Sequence, residues 1–338
     1  MIFGDKLMKI CVIGDGAWGT ALALNALKNK HDVVIWGAFP EYLDEIRKTR
    51  ENKKFLPGVR LPEELKFENN ITNAIAGCSI IICATPTQFL RSVLKKISGN
   101  IPGDVIMVNV AKGIELDSWL RISEIIEQEL GKVNYVDLSG PSHAEEVARG
   151  VPTAVTVAGE NIENAEFVQR ALMNDNFRIY TSKDVTGLEL GGAIKNVFAI
   201  AAGIIDGMKL GDNPKAALMA RGIAEMGRLG EALGGARSTF SGLSGIGDLI
   251  VTCCSGHSRN RHVGEELGRG KKLAEILDTM GMVVAEGVPT AKGIRFLAKQ
   301  KNVDIPIIDE IYKVLYEDRS AREAICSLMT RAAKNEDE

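Results

Sequence analysis

Cysteine pairs at metal or redox spacing are missing from this 338-residue chain. Cys11, Cys78, Cys83, Cys253, Cys254 and Cys326 are scattered, and none forms a CxxC pair. Several sit in apolar strand or helix patterns, so they read as small buried hydrophobes of a reducing compartment. The histidines give no metal either. His31 and His143 have no ligand spacing to each other or to a cysteine, and His257 and His262 stand five apart rather than four. A dominant charge is also missing: 41 Lys and Arg against 44 Asp and Glu leave a net charge of −3, with no bulk attraction to nucleic acid or membrane. The basic run Arg259–His262 is too short for a nucleic-acid footprint and carries no interleaved aromatics to stack bases. Long apolar runs are absent. The longest, Val197–Ile205, falls short of the roughly 20 residues a membrane span needs, and MIFGDKLMKICVIG shows no signal peptide. These absences predict a cytoplasmic protein without metal, nucleic-acid partner or membrane insertion. Met8 directly precedes the first strand pattern, so Met1–Leu7 read as an extension.

What is present is apolar bulk, 45% of the residues, enough for two domains at this length. Short runs rich in β-branched residues recur at Lys9–Gly14, Asp32–Trp36, Ser79–Thr85, Asp104–Val110, Asn134–Gly140, Thr153–Gly159 and Phe177–Ser182. Helical patterns over Ala17–Asn29, Gln88–Ile97 and Ser118–Leu130 lie between them. Such alternation predicts a parallel sheet covered on both faces. From Lys183 the strands stop, and helical patterns cover 183–206, 214–233, 259–280, 289–300, 306–317 and 319–334, followed by the solvated tail NEDE. The fold class read from this is α/β: an N-terminal Rossmann-type doubly wound sheet, then an all-α C-terminal domain. The boundary falls at 183–190, giving a dinucleotide-binding domain over 8–186 and a helical substrate-binding and catalytic domain over 187–335.

GDGAWG, Gly14–Gly19, follows the first strand and opens the first helix, the context in which GxGxxG binds a dinucleotide. Gly14 permits the tight turn, Gly16 lets the backbone approach a pyrophosphate at the helix N-terminus, and Gly19 lets helix and strand pack closely. The acid that would take the ribose 2′-hydroxyl of NAD, and the arginine that would take the 2′-phosphate of NADP, are both missing after the second strand. Gly37 and Ala38 stand there, and Glu41 reads as the start of a helix after Pro40. The cofactor is NADP or NAD, with the preference undecided.

Candidate chemistry clusters where strands end. Lys112 follows one strand, and Gly140 and Ser142 follow another, with Ser142 also a candidate N-cap. Lys195 lies in GLELGGAIKNVFAIAAG, where small apolar neighbours leave it little room to reach solvent. Burial and a second cation lower a lysine's pKa toward a range suited to proton transfer; a salt bridge in a domain interface is the alternative. Asp248 precedes an apolar helix with Thr252 one turn on, on the same side. Ser258, Arg259 and Asn260 stand where the next helix begins, an arrangement suited to a phosphate.

Taken in order, ICVIGDGAWGTALA, VNVAKGIE, SGPSHAEEVARGVPTAV, LGGAIKNVFAIAAGIIDG, RGIAEMGRLG, GLSGIGDLIVTC, HSRNRHVGEEL and VAEG resemble the bacterial NAD(P)-dependent glycerol-3-phosphate dehydrogenase family over essentially the whole chain. The resemblance implies interconversion of dihydroxyacetone phosphate and sn-glycerol 3-phosphate for phospholipid synthesis. It implies Lys195 as the acid/base, with Lys112 beside nicotinamide and substrate. Asp248, Ser258, Arg259 and Asn260 would contact substrate, and Asn196 and Thr252 would stand beside them. Gly140, Ser142 and Ala144 would line the pocket, Ala17 and Trp18 would flank the pyrophosphate, and Arg259, Val284 and Glu286 would reach the cofactor. The chain departs from the family at Ala38, where NADPH-preferring members often carry Arg or His. Two rivals stand beside this reading. One is a β-hydroxyacid dehydrogenase of the 6-phosphogluconate type, in which Lys and Asn sit a helical turn apart rather than adjacent. The other is a nucleotide sensor without turnover. An apolar helical domain is compatible with a homodimer.

Overall fold

The computed structural model describes residues 7–281, 284–333, 335 and 336. Residues 1–6 of the expected extension, Lys334 at the end of the last expected helix, and Asp337 and Glu338 of the tail lie outside the described residues. Strands and helices alternate first: β1 (Lys9–Ile13), α1 (Ala17–Lys28), β2 (Asp32–Trp36), α2 (Pro40–Thr49), β3 (Glu51–Asn52), β4 (Leu56–Arg60), β5 (Lys66–Phe67), α3 (Ile71–Ile75), β6 (Ile80–Cys83), α4 (Thr87–Ile97), β7 (Ile106–Asn109), α5 (Ile122–Leu130), β8 (Asn134–Ser139), α6 (Ala144–Ala148), β9 (Thr153–Ala158), α7 (Ile162–Leu172) and β10 (Phe177–Ser182). Helices follow: α8 (Val185–Gly207), α9 (Asp212–Ala232), α10 (Asp248–Cys254), α11 (Arg259–Gly268), α12 (Leu273–Met280), α13 (Gly287–Lys301), α14 (Pro306–Tyr316) and α15 (Ala321–Met329).

Among the described residues the main sheet runs β10-β9-β8-β7-β6-β1-β2-β5, and β3 pairs with β4 apart from it. Its central strands are buried on both sides. Ile10, Val12, Val33 and Ile35 point into one apolar core, while Cys11, Ile13, Val34 and Trp36 point into the other. Successive side chains alternate across a strand, so a strand apolar throughout needs cover on both faces. α1 and α7 cover one face and α4 and α5 the other, which makes the sheet doubly wound.

The sheet is not wholly parallel, as the alternation predicts. β8 and β9 pair antiparallel, while β9 and β10 pair parallel. The link between β8 and β9 holds only the five-residue α6, about 7.5 Å of helix. That is too little to carry the chain back along a strand of about 20 Å. The helix expected over Ser118–Leu130 begins only at Ile122, because Asp117 and Trp119 take positive φ values of 69° and 60°. The helix expected over 259–280 is broken at Gly270, φ 93°, into α11 and α12. Cys11, Cys78, Cys83 and Cys253 are buried as expected of small hydrophobes, but Cys254 and Cys326 are exposed.

α8 is the axis of the helical half. Asp184 caps it, its Oδ1 accepting from Gly187 N at 2.9 Å. The helix is longer and more continuously apolar than the run Val197–Ile205 suggests. With 23 residues and a mean hydropathy of 1.5 it is long and apolar enough to cross a membrane, yet that apolar stretch is entirely buried within the protein. α9, α10, α11 and α13 pack around it. At its closest approach to α11 the two helices meet through bare backbone. A Cβ on Gly203 would meet Arg261 O at 1.9 Å, one on Gly207 would meet Glu265 O at 2.1 Å, and one on Gly264 would meet Ile200 O at 1.9 Å. Helix axes approach only as closely as the side chains between them allow. These glycines therefore bring the start of α11 up to the middle of α8.

Candidate active site

The carboxyl ends of the sheet strands face the helical half across a cleft of about 650 Å³. A larger cavity, about 820 Å³, opens beside the amino ends of β6, β7 and β8. Ligands of such sheets bind at the carboxyl ends, and the expected chemical groups gather at the smaller cavity. Gly14, Gly16, Ala17, Trp18, Lys112, Ser142, Ala144, Lys195, Asn196, Thr252, Ser258, Arg259, Asn260, Val284 and Glu286 all line it. Gly19, Gly140 and Asp248 do not, but Gly19 packs on Gly14, and Gly140 and Asp248 accept from Lys112.

Gly14 takes φ 126°, and a Cβ there would lie 2.7 Å from Ala84 O. A Cβ on Gly19 would lie 2.1 Å from Gly14 O, so α1 sits tightly on the turn, whereas a Cβ on Gly16 meets nothing within 4 Å. Gly16 ends the turn as the N-cap of α1, with no side-chain cap and no acid in the first turn. The first N–H groups of α1 thus remain for an anion in open space.

Lys195 projects from the middle of α8 into the floor of the cleft. Its Nζ donates to Asp248 Oδ1 at 2.8 Å and to Thr252 Oγ1 at 2.6 Å. Lys112, beyond the end of β7, donates to Asp248 Oδ2 at 2.5 Å and to Gly140 O at 3.2 Å. One buried carboxylate thus joins two ammonium groups. Asp248 and Thr252 share one side of α10, as their spacing predicts, and Asp248 serves the two lysines rather than capping the helix. Burial alone would raise the Asp248 carboxyl, but Lys112 and Lys195 hold it below its ordinary value. Burial pushes Lys195 down from 10.5 to about 8; Asp248 opposes that shift and Lys112 adds to it. An ammonium has three N–H donors, and Lys195 and Lys112 each commit two within the protein.

The asparagines form a second connection. Asn260 Nδ2 donates to Asn196 Oδ1 at 2.9 Å, and Asn260 Oδ1 accepts from Gly287 N at 2.9 Å. Asn196 Nδ2 reaches Lys112 O and Gly192 O, each at 3.3 Å. Asn196 therefore ties α8 to the loop of Lys112, and Asn260 keeps one amide N–H for the cleft. Ser258 caps α11 by accepting from Arg261 N at 3.2 Å, leaving its own hydroxyl proton available. Burial lowers the Arg259 pKa, partly offset by Glu145 and Glu286. Ser142 is not an N-cap: its Oγ donates to Gly140 O at 2.9 Å, and His143 occupies the cap position of α6.

Two residues at the cleft were not among the expected site residues: Thr87, and His143, weighed from the sequence only as a metal ligand. Thr87 N donates to Glu286 Oε1 at 3.0 Å, across the two halves of the chain. Burial raises Glu286 to about 7, with the Thr87 N–H and Arg259 opposing. Thr87 lies just past the end of β6, a strand end like those that pointed to Lys112 and Ser142. The His143 ring lies 5.8 Å from that of His257 at the cleft, and burial, then the charge of Lys195, lowers its pKa. Buried polar atoms without hydrogen-bond partners among the described residues collect here: Asp15 Oδ2, Trp18 Nε1, Thr87 Oγ1, His143 Nε2 and Glu286 Oε2. Buried polar groups are normally satisfied. A polar ligand along the cleft, with a pyrophosphate at the open N-terminus of α1, suits this set, so a nicotinamide dinucleotide fits the residues present.

Comparison with known proteins bears on the same cleft. Residues 9–165 match the family model for the NAD-dependent glycerol-3-phosphate dehydrogenase N-terminus, and residues 184–326 match that for its C-terminus. A glycerol-3-phosphate dehydrogenase [NAD(P)+] of Bacillus pumilus is 51% identical over 98% of this chain and 96% of its own length. Its counterpart from Fusobacterium nucleatum is 48% identical over 98% and 99%. The crystal structure of glycerol-3-phosphate dehydrogenase from Coxiella burnetii superimposes with a TM-score of 0.92 at 34% identity, covering 96% of this chain and 99% of that one.

Proposed function

The chain belongs to the NAD-dependent glycerol-3-phosphate dehydrogenase family, and from that membership we propose that Lys195 is its proton donor and acceptor. The protein is an NAD(P)-dependent oxidoreductase that interconverts dihydroxyacetone phosphate and sn-glycerol 3-phosphate. We assign cofactor binding mainly to residues 8–186, and the proton and most substrate contacts to 187–335, with Lys112 crossing over from the first part. The observation that carries the assignment is the Lys195 ammonium, fixed by Asp248 and Thr252 and still holding one donor toward the cleft.

A bound reduced nicotinamide supplies the hydride. Reduction at C2 turns a carbonyl oxygen into an alkoxide. Lys195 Nζ gives that oxygen a proton, and in the reverse direction it takes the proton back. Two lysines around one carboxylate leave the floor of the cleft with a surplus positive charge, which stabilises the developing anion. Arg259, the remaining amide N–H of Asn260, the Ser258 hydroxyl and the first turn of α11 form the phosphate end. Gly16, Ala17 and Trp18 would hold the pyrophosphate, and Ala144, Val284 and Glu286 would flank the dinucleotide. Unpaired buried thiols in the core support a cytoplasmic, reducing setting.

The test is oxidation of NADH and NADPH on addition of dihydroxyacetone phosphate, with a β-hydroxyacid's keto form as the comparison substrate. Turnover of the triose phosphate alone is expected. Turnover of the carboxylate alone, or cofactor binding with no turnover of either, would overturn the reading.

A further inference from the structure

Asp15 is the first variable residue of GDGAWG, and its carboxylate lies against Gly37, directly past the end of β2. A Cβ built on Gly37 would stand 2.6 Å from Asp15 Oδ2, 2.7 Å from its Cγ and 3.1 Å from its Oδ1. A side chain at position 37 would have to displace that carboxylate, so the glycine is what admits it. The turn is held by its main chain: Gly14 N donates to Trp36 O at 2.8 Å, and Asn52 Nδ2 donates to Asp15 O at 2.7 Å. Tyr42 OH in turn fixes Asn52, donating to its Oδ1 at 2.6 Å. The carboxylate itself lines the cleft, and its Oδ2 is buried without a hydrogen-bond partner among the described residues.

Dinucleotide-binding sheets ordinarily place an acid at the end of the second strand to accept a hydrogen bond from the ribose 2′-hydroxyl. This chain has Gly37 and Ala38 there, and the carboxylate found at that spot comes from the glycine loop. We propose that Asp15 is the cofactor-specificity residue: it accepts from the adenosine ribose 2′-hydroxyl and repels a 2′-phosphate, so that the enzyme prefers NADH. The proposal rests on the cleft being the cofactor site. Burial raises the Asp15 carboxyl from its ordinary value, and its own backbone N–H and the charge of Lys54 oppose that rise. The Lys54 Nζ lies 5.5 Å and 5.7 Å from the ring centroids of Tyr42 and Phe55, so it supplies the opposing tendency that the test must separate.

The test measures dissociation constants of NADH and NADPH by quenching of tryptophan fluorescence, alongside kcat/KM with each cofactor. Wild type, Asp15→Ala and Asp15→Asn are compared, with melting temperatures as the check on folding. Wild type is expected to bind NADH at least about tenfold tighter than NADPH, the size of one charge-assisted hydrogen bond. Asp15→Ala should weaken NADH about tenfold and bring the two constants within about twofold. Asp15→Asn, which keeps an acceptor but loses the charge, should chiefly tighten NADPH. Should Asp15→Ala not fold, Gly37→Ala, which pushes the carboxylate aside, should narrow the same ratio. Equal or tighter binding of NADPH by wild type, or a ratio unmoved by the substitutions, would overturn the proposal. Failure of wild type to bind either dinucleotide would instead overturn the reading of the cleft on which it rests.

Discussion

Two buried ionic clusters hang from the same helix, six residues apart, and they differ in what they leave unsatisfied. Around Glu189 every acceptor is taken: Arg121 Nη1 donates at 2.7 Å, Ser123 N at 2.7 Å, Ser123 Oγ at 2.8 Å and Tyr135 OH at 2.8 Å. Asp137 lies nearby, accepting from Asn109 Nδ2 at 2.6 Å. Burial raises Asp137, Glu189 adds to the rise, and Glu189 itself is raised by burial against the pull of Arg121. Two acids here face one guanidinium, and burial favours their protonated forms. Around Lys195 the imbalance is reversed, with two cations to one anion, and it faces a cavity with N–H donors uncommitted. Burial of a charge alone therefore does not mark the chemical site. The open donor and the surplus positive charge are what distinguish the site we propose.

The sharpest way to break this contrast is Lys195→Met. We expect reduction of dihydroxyacetone phosphate to fall by about 10³-fold or more, with NADH binding by fluorescence retained; near-normal turnover would remove Lys195 from the chemistry. Arg121→Met should do the opposite. It leaves buried acids without their cation and costs about 3–5 kcal/mol of stability, read from denaturant unfolding, while kcat in the folded protein stays within about threefold. The loss should grow as pH rises above the ordinary carboxyl range. Acids with raised folded values bind more protons folded than unfolded, and so lose stability as pH climbs.

Asp248→Asn should lower kcat about 100-fold at pH 7 and move the pH inflection of reduction below about 8. The sign follows from the charges: the proton donor must be protonated, so reduction falls and oxidation rises as pH passes through the Lys195 pKa of about 8. Removing Asp248 removes what raises that pKa. Burial is the main cause that lowers it and Lys112 adds to that, so Lys112→Ala should move the inflection upward, the smallest of these effects. Shifts of the same sign in both variants would show that Lys195 is not the group titrating.

The central strands and α8 were legible because runs such as KICVI and the stretch around GGAIKN have one environment open to them. β9 was legible as a strand but not in its direction, because an apolar run reads the same parallel or antiparallel; the shortness of α6 decides it. Lys195, Asp248 and Thr252 announced themselves as polar groups in apolar or glycine-rich surroundings. Thr87 did not, since it acts through its backbone N–H, which every residue but proline carries. His143 was weighed only as a metal ligand, and its place beside His257 at the cleft depends on the fold. Asp15 lay in full view inside the glycine motif, but its meaning depends on Gly37, 22 positions on, and only the fold brings the two together.

The bare contact between α8 and α11 sets a dimension. Lys195 sits on one helix, and Ser258, Arg259 and Asn260, which we propose as the phosphate end, stand at the head of the other, so this crossing sets the span between them. Side chains can rotate or be trimmed, but a peptide backbone has no such play. At Gly203, Gly207 and Gly264 the first added methyl meets a wall, so this span cannot drift by small steps. Gradual adjustment of the enzyme is left to the outer walls of the cleft, where Phe39, Phe55 and Phe89 can be exchanged for one shape after another while the crossing serves as the fixed datum.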